Sequence, residues 1–358
     1  MKKIKFLFLI FFTINSSFLY AVELKVHEWE GYISPFAQDF KKYAKSKGMD
    51  VDLIFIKPDI TSPDQLFKMV RLGKTDVVTP THNYYKMDRN KLIHTLQPID
   101  FTKLKNYANL ISSAIAVPFD SHEGKKYSVP LLGGSYGLAY NTQKVKEPKS
   151  WNVLWDPKNK GKISITKEQF EANLYITILS EGYDPEDCYE IHKGNVDLQK
   201  IKSKLNRLVE NTGPFWAGIP SVEDMKELSY VTDYWFGVAL ANKNGQKWKV
   251  ANPKEGQTVW LDTMAISRSL SGDKLKAAYL LLDFMISPEV QKRIHEMYGS
   301  VIVNLKAANI MSKKQIESSY LNNQSFFKEE FFWKPLPVRT RNNYKIMWEE
   351  ALENVGKR

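Results

Sequence analysis

The chain has 358 residues and a formal net charge of +11, from 51 Lys and Arg against 40 Asp and Glu, with a single cysteine. One cysteine excludes an intramolecular disulfide framework, so the fold must rest on its hydrophobic core, and a chain this long divides that core between two domains. The positive balance invites a nucleic-acid or anionic-lipid reading, but Lys and Arg are scattered in pairs such as Lys41-Lys42 and Lys292-Arg293, the pattern of solvated faces rather than of a basic arm.

In chain order, Lys2, Lys3 and Lys5 precede the apolar run Phe6 to Phe12 and a stretch ending at Ala21, which predicts a secretory signal peptide over 1–21. Asn15-Ser16-Ser17 interrupt the run before the roughly 20 apolar residues that a transmembrane helix needs. No cysteine follows it to carry a lipid, so a secreted, soluble protein without a membrane anchor is expected. Leu24-Lys25-Val26-His27 and Val51 to Ile56 read as strands, with a helix over Phe36 to Tyr43 between them. A second helix opens at Pro63-Asp64-Gln65, and Thr75 to Thr79 is a third strand. Strand, helix, strand, helix, strand is the pattern of a parallel sheet.

Tyr127 to Pro130 and Leu138 to Asn141 read as strands flanking Gly133-Gly134, a crossover between domains. Ser150 starts a helix with Trp151, Leu154 and Trp155 on one face, ended by Pro157. Lys162 to Thr166 is a further strand. Ser287-Pro288-Glu289 supplies a capping residue, a first-turn proline and a first-turn acid for a helix running to Tyr298-Gly299.

Gly133-Gly134-Ser135-Tyr136-Gly137 matches the G-x-S-x-G pattern of a hydrolase nucleophile. That elbow needs a helix after the serine, and a strand follows here, so a hinge is the expectation. The six histidines lack metal-ligand spacing. Tyr84-Tyr85 could supply phenolates to ferric iron, against core packing as the alternative. Thr166-x-x-Gln169 reads as a capping box that places Glu168 and Glu171 at a helix start, where they either stabilise the helix dipole or receive a ligand ammonium. Trp260-Leu261-Asp262 alternates in a strand, so Trp260 and Asp262 share a face. An acid beside an indole suits a cation with an aliphatic stem. Trp29, Tyr32 and Trp235 are aromatic residues near loops, able to pack in a core or to face such a cation.

Taken in order, Trp29-Glu30-Gly31-Tyr32, Asp76 to Thr81, Lys126 to Pro130, Ser150-Trp151 with Leu154 to Pro157, Lys160-Gly161, Pro253 to Gly256 and Trp260-Leu261-Asp262 resemble the successive signatures of the spermidine/putrescine periplasmic binding family. The resemblance spans about Leu24 to Asn304. It implies an α/β type II periplasmic-binding fold: two lobes joined by crossover strands around a central cleft, drawn here as 22–133 plus 259–305 and 134–258 plus 306–358. It implies an aromatic box of Trp29, Tyr32, Trp235 and Trp260, ammonium-binding acids Glu168, Glu171 and Asp262, and ligand contacts from Glu30 and Thr81. Asn83 and Ser300 stand where the family carries aromatic residues, and its C-terminal glutamine has no counterpart near Lys334 to Pro337. The implied protein is monomeric, needs no cofactor and catalyses nothing. It binds a polyamine and hands it to a permease with its ATPase. Another organic cation, a small zwitterion or ferric iron is the alternative cargo.

Overall fold

Apolar and polar alternation around Leu24 and the fully buried stretches later in the chain become thirteen strands in the computed structural model, which describes residues 21–29, 31–87, 92–117, 119–323, 326–327 and 332–357. The expected signal peptide and Glu30 lie outside the described residues, apart from Ala21. The strands are β1 (Val22–His27), β2 (Val51–Phe55), β3 (Val77–Val78), β4 (Ser121–His122), β5 (Lys125–Lys126), β6 (Val129–Ser135), β7 (Gly137–Asn141), β8 (Ile163–Thr166), β9 (Thr212–Trp216), β10 (Tyr230–Asp233), β11 (Trp248–Val250), β12 (Val259–Ile266) and β13 (Val301–Ile302). The helices are α1 (Ala37–Ser46), α2 (Pro63–Arg71), α3 (Ser112–Ile115), α4 (Phe170–Leu179), α5 (Leu198–Asn211), α6 (Val222–Glu227), α7 (Phe236–Lys243), α8 (Gly272–Met285), α9 (Pro288–Tyr298), α10 (Lys313–Ser318) and α11 (Val338–Asn354).

Two sheets carry two lobes. The first runs β13-β6-β12-β3-β1-β2 and the second β11-β7-β10-β8-β9, with β4 and β5 forming a separate hairpin. The expected parallel pairing holds for β1 with β2 and β3, but β12 runs antiparallel to both β3 and β6, and β13 antiparallel to β6, so the first sheet is mixed. Helices α1 and α8 pack on the first sheet, while α4, α5 and α11 pack together beside the second. The chain changes sheets between Ser135 and Gly137 and returns between Val250 and Val259. Its final passage lies later than the boundary drawn at 306, because Leu305–Ile310 still packs on α9 and Gln315 donates to Glu296 at 2.9 Å.

Gly133 and Gly134 sit within β6 rather than in a loop. A Cβ on Gly134 would lie 2.9 Å from the Trp260 ring, and one on Gly133 would lie 2.5 Å from Phe327. The glycines therefore make room for aromatic side chains laid across the strand. Near the C-terminus of the first lobe, α9 starts at Pro288 and ends at Gly299, whose φ of 67° suits the left-handed position after a helix. The Ser287 hydroxyl does not cap this helix but donates to the Phe284 carbonyl at 2.6 Å.

Among the described residues, no helix is long and apolar enough to cross a membrane.

Candidate functional site

A cleft of about 700 Å³, partly open to solvent, lies where the two lobes meet. Its floor comes from the first lobe. Strand alternation puts Trp260 and Asp262 on one face of β12, and both line the cleft. A β-bulge in the pairing with β6 falls between Asp262 and Thr263, a local irregularity of the kind that re-aims side chains at sites. Thr81 stands opposite Asp262 across an isolated antiparallel bridge and donates its hydroxyl to Oδ1 at 2.6 Å. Tyr32, in the loop after β1, donates to Oδ2 at 2.7 Å.

That loop is built around a buried acid. The Glu28 carboxylate accepts the backbone N–H groups of Ile33 and Ser34, which turns the chain so that Trp29 and Tyr32 both reach the cleft. Asp262 is 4% exposed, and burial pushes its carboxyl up to about 7 while its two hydrogen bonds pull the other way.

The second lobe provides the facing wall: Tyr234 and Phe236 from the turn into α7, with Glu168 and Gln169 before α4. Tyr234 meets Trp260 edge to face at 5.9 Å between ring centres and Trp333 at the same distance, while its hydroxyl donates to Gln169 Oε1 at 2.6 Å. Phe236 packs edge-on against Tyr32 at 6.1 Å and Trp260 at 5.8 Å. An aromatic box thus closes from both lobes over one buried carboxylate. Asp59, which pairs with Lys57 at 2.6 Å, lines the cleft from the first lobe.

The residues singled out from sequence separate into three groups. Trp29, Tyr32, Thr81, Glu168, Trp260 and Asp262 line one cleft. Glu171 lies in an adjoining recess, where its Oε1 accepts from Arg341 Nε at 2.9 Å. Burial raises its carboxyl, with the arginine's charge opposing the shift.

Trp235 is not in the lining. Its indole N–H donates to the Ser135 hydroxyl at 3.1 Å and its ring packs on Tyr320 and Phe326. The cause is local: Trp235 has a φ of 78°, in the left-handed region, and this bend turns Tyr234 and Phe236 into the cleft while aiming the tryptophan away. Asp233 fixes the bend by accepting Gly237 and Val238 N–H groups at 3.2 and 2.7 Å.

Other expectations need correction. The residues 167–169 form a bend rather than a first helical turn, because α4 begins at Phe170, so Glu168 is an exposed residue ahead of the helix. Asn83 and Ser300 are not gaps in the aromatic set. Tyr84, one residue on, packs against Trp29 at 6.5 Å, and Tyr298 packs against Tyr32 at 6.4 Å. Trp333 occupies the region where no counterpart to a glutamine was found.

Tyr84 and Tyr85 are buried, and burial raises both phenols well above their usual range, an arrangement opposed to phenolate ligation. Among the described residues, no group of three His, Cys, Asp or Glu side chains could hold a metal ion. Ser135 donates to Gln257 Oε1 at 2.9 Å and is followed by β7, so the strand-to-helix elbow of a hydrolase is not formed.

The lobes touch through several contacts besides the box. Lys243 Nζ donates to the Met297 carbonyl at 3.1 Å, Asn83 donates to the Lys334 carbonyl at 3.3 Å, and Arg341 reaches Asp64 at 3.2 Å.

Comparison with known proteins gives the same architecture. The spermidine/putrescine-binding periplasmic protein of Escherichia coli K12 is 27% identical over 296 residues, covering 81% of this chain and 80% of that one. The solved spermidine/putrescine ABC transporter substrate-binding protein of Streptococcus pneumoniae superposes with a TM-score of 0.72 at 19% identity, over 93% of this chain and 99% of that one. The structure of the Atu4243-GABA receptor superposes with a TM-score of 0.68 at 18% identity, over 92% and 97%. These solved structures share the two-lobe periplasmic-binding fold. The model of the bacterial extracellular solute-binding protein family matches residues 86–319, about two thirds of the sequence, and with its two lobes closing on one cleft this chain belongs to that family.

Proposed function

We propose that the chain is the extracytoplasmic binding protein of an ABC importer and that its cargo is a polyamine. The observation that carries this is the buried Asp262 carboxylate on the floor of an aromatic box. A desolvated carboxylate selects a cation, and Trp29, Tyr32, Tyr234, Phe236, Trp260 and Trp333 offer ring faces to the methylene chain between ammonium groups. Each cation–ring contact contributes about 0.5–2 kcal/mol, so a few of them with one buried charge pair reach the roughly 8 kcal/mol of micromolar binding. The names of the relatives at 22 to 27% identity support the same cargo.

In this reading Thr81 and Tyr32 hold Asp262 in place, and Glu168 and Asp59 meet a second ammonium near the cleft margin. The protein works as a periplasmic monomer without a lipid anchor, catalyses nothing, and delivers its ligand to a permease driven by an ATPase. Calorimetric titration of ligand-free protein with putrescine, spermidine and cadaverine tests it. Binding of one of them in the micromolar range or tighter is the expected result, and no heat with any of the three overturns it.

One observation favours a second reading. The indole N–H groups of Trp29, Trp260 and Trp333 are buried without a hydrogen-bond partner among the described residues, and such donors suit the carboxylate of a zwitterionic amine. γ-Aminobutyrate in the same titration separates the two.

A further inference from the structure

Beside the cleft lies a recess of about 480 Å³ whose lining shares Thr61, Glu168, Gln169 and Trp333 with it. An elongated ligand anchored at Asp262 and passing Glu168, Gln169 and Trp333 would run next into this recess, where Glu171 is the further acid in the lining. That acid is already matched. Arg341, from the first turn of α11, donates to Glu171 at 2.9 Å, reaches Asp64 of the opposite lobe at 3.2 Å, and sets its guanidinium carbon 5.6 Å from the centre of the Phe170 ring. The Arg341 and Glu171 side chains are only 19% and 18% exposed.

We propose that Arg341 is a resident cation that occupies the position a further ligand ammonium would take at Glu171, and so restricts the cleft to short amines. This rests on the amine reading above and deepens it: the preferred cargo is a diamine rather than a triamine. A buried cation is tolerated only when paired. At Asp262 the carboxylate awaits such a partner, whereas at Glu171 the pair is complete. A third ammonium arriving beside Glu171 finds that carboxylate already paired and faces the arginine's like charge at short range, while Glu168, the other acid of the recess, stands exposed at the cleft margin.

The test is calorimetric titration of the whole mature chain with putrescine and with spermidine, for the wild type and for Arg341→Gln, Glu171→Gln and Asp64→Asn. The wild type is expected to bind putrescine at least about tenfold tighter than spermidine. Arg341→Gln frees Glu171 and shifts the ratio of the two affinities toward spermidine by about tenfold or more. Glu171→Gln leaves the arginine uncompensated and shifts the ratio the other way. Asp64→Asn breaks only the contact between lobes, so both affinities change together and the ratio stays.

A wild type that takes spermidine as tightly as putrescine overturns the proposal, as does an unchanged ratio in Arg341→Gln. Thermal unfolding identifies a variant that does not fold; should Arg341→Gln be one, the direction of the Glu171→Gln shift decides. A wild type that binds neither amine overturns the polyamine reading itself, an outcome distinct from a lost preference.

Discussion

The phenol of Tyr32 donates to Oδ2 of Asp262 at 2.7 Å, tying the loop after β1 to a strand 230 positions later in the chain. Thr81 holds the other oxygen at 2.6 Å, so the carboxylate is fixed from two sides. Its remaining acceptor capacity faces the cleft.

Asp262→Ala is therefore expected to weaken polyamine binding more than any other single substitution. Removing one partner of a buried charge pair costs about 3–5 kcal/mol, which is a loss of more than about 100-fold in affinity. Titration calorimetry measures it, and an affinity close to that of the wild type would remove Asp262 from the site.

Binding is also expected to depend on pH through this residue. Its carboxyl is raised to about 7, chiefly by burial, so the ligand-free folded protein holds a proton that the unfolded chain gives up near 3.8. This group's contribution to ligand-free stability is therefore greatest below the unfolded value and is lost as pH rises through 7. An ammonium requires the anion, so affinity falls about tenfold for each pH unit below 7 and at pH 5 is about 100-fold below its plateau. Dissociation constants measured from pH 5 to 8, in buffers of differing ionisation enthalpy, should show proton release on binding at the acid end. A flat profile would mean that Asp262 is already ionised in the empty cleft.

The turn at Trp235 predicts a contrast between neighbours. Phe236→Ala removes a wall of the box and is expected to cost about 0.5–2 kcal/mol of binding, with little change in the melting temperature. Trp235→Ala empties a packed aromatic cluster instead, with an expected loss of about 3–5 kcal/mol in stability. Paired titration and thermal melts separate the two, and a larger affinity loss from Trp235→Ala than from Phe236→Ala would reverse the placement.

Gly134→Ala tests the packing behind Trp260. The added methyl would stand 2.9 Å from the indole, closer than such contacts occur, so the ring must shift. Overpacking of this kind costs about 1–3 kcal/mol, and both the melting temperature and the polyamine affinity are expected to fall. Unchanged affinity would separate the Trp260 position from binding.

What the sequence revealed followed from short periods. Two-residue alternation placed Trp260 and Asp262 on one face, and the start signals at Pro63-Asp64-Gln65 and Ser287-Pro288-Glu289 located the beginnings of α2 and α9. The losses came where backbone or distance intervened. Trp235, taken for the box from its place near a loop and from the resemblance, is aimed away by a left-handed φ at a non-glycine residue, which side-chain identity does not announce. Glu168 and Glu171 look equivalent in a presumed first turn, yet one lies before the helix and the other is claimed by Arg341, 170 positions away. Trp333 joins the cleft only because the C-terminal segment crosses between lobes, where His82 Nε2 meets its carbonyl at 2.7 Å. No local pattern encodes such a path.

The unequal origin of floor and lid sets an order of events. Trp29, Tyr32, Thr81, Trp260 and Asp262 all belong to the first lobe, so in the proposed reading that lobe alone offers an arriving ligand the carboxyl group and three rings. In that reading, capture is then a property of one lobe and residence a property of the other. Substitutions at Tyr234 or Phe236 are then expected to act mainly on the time a ligand stays, and those at Asp262 on whether it is held.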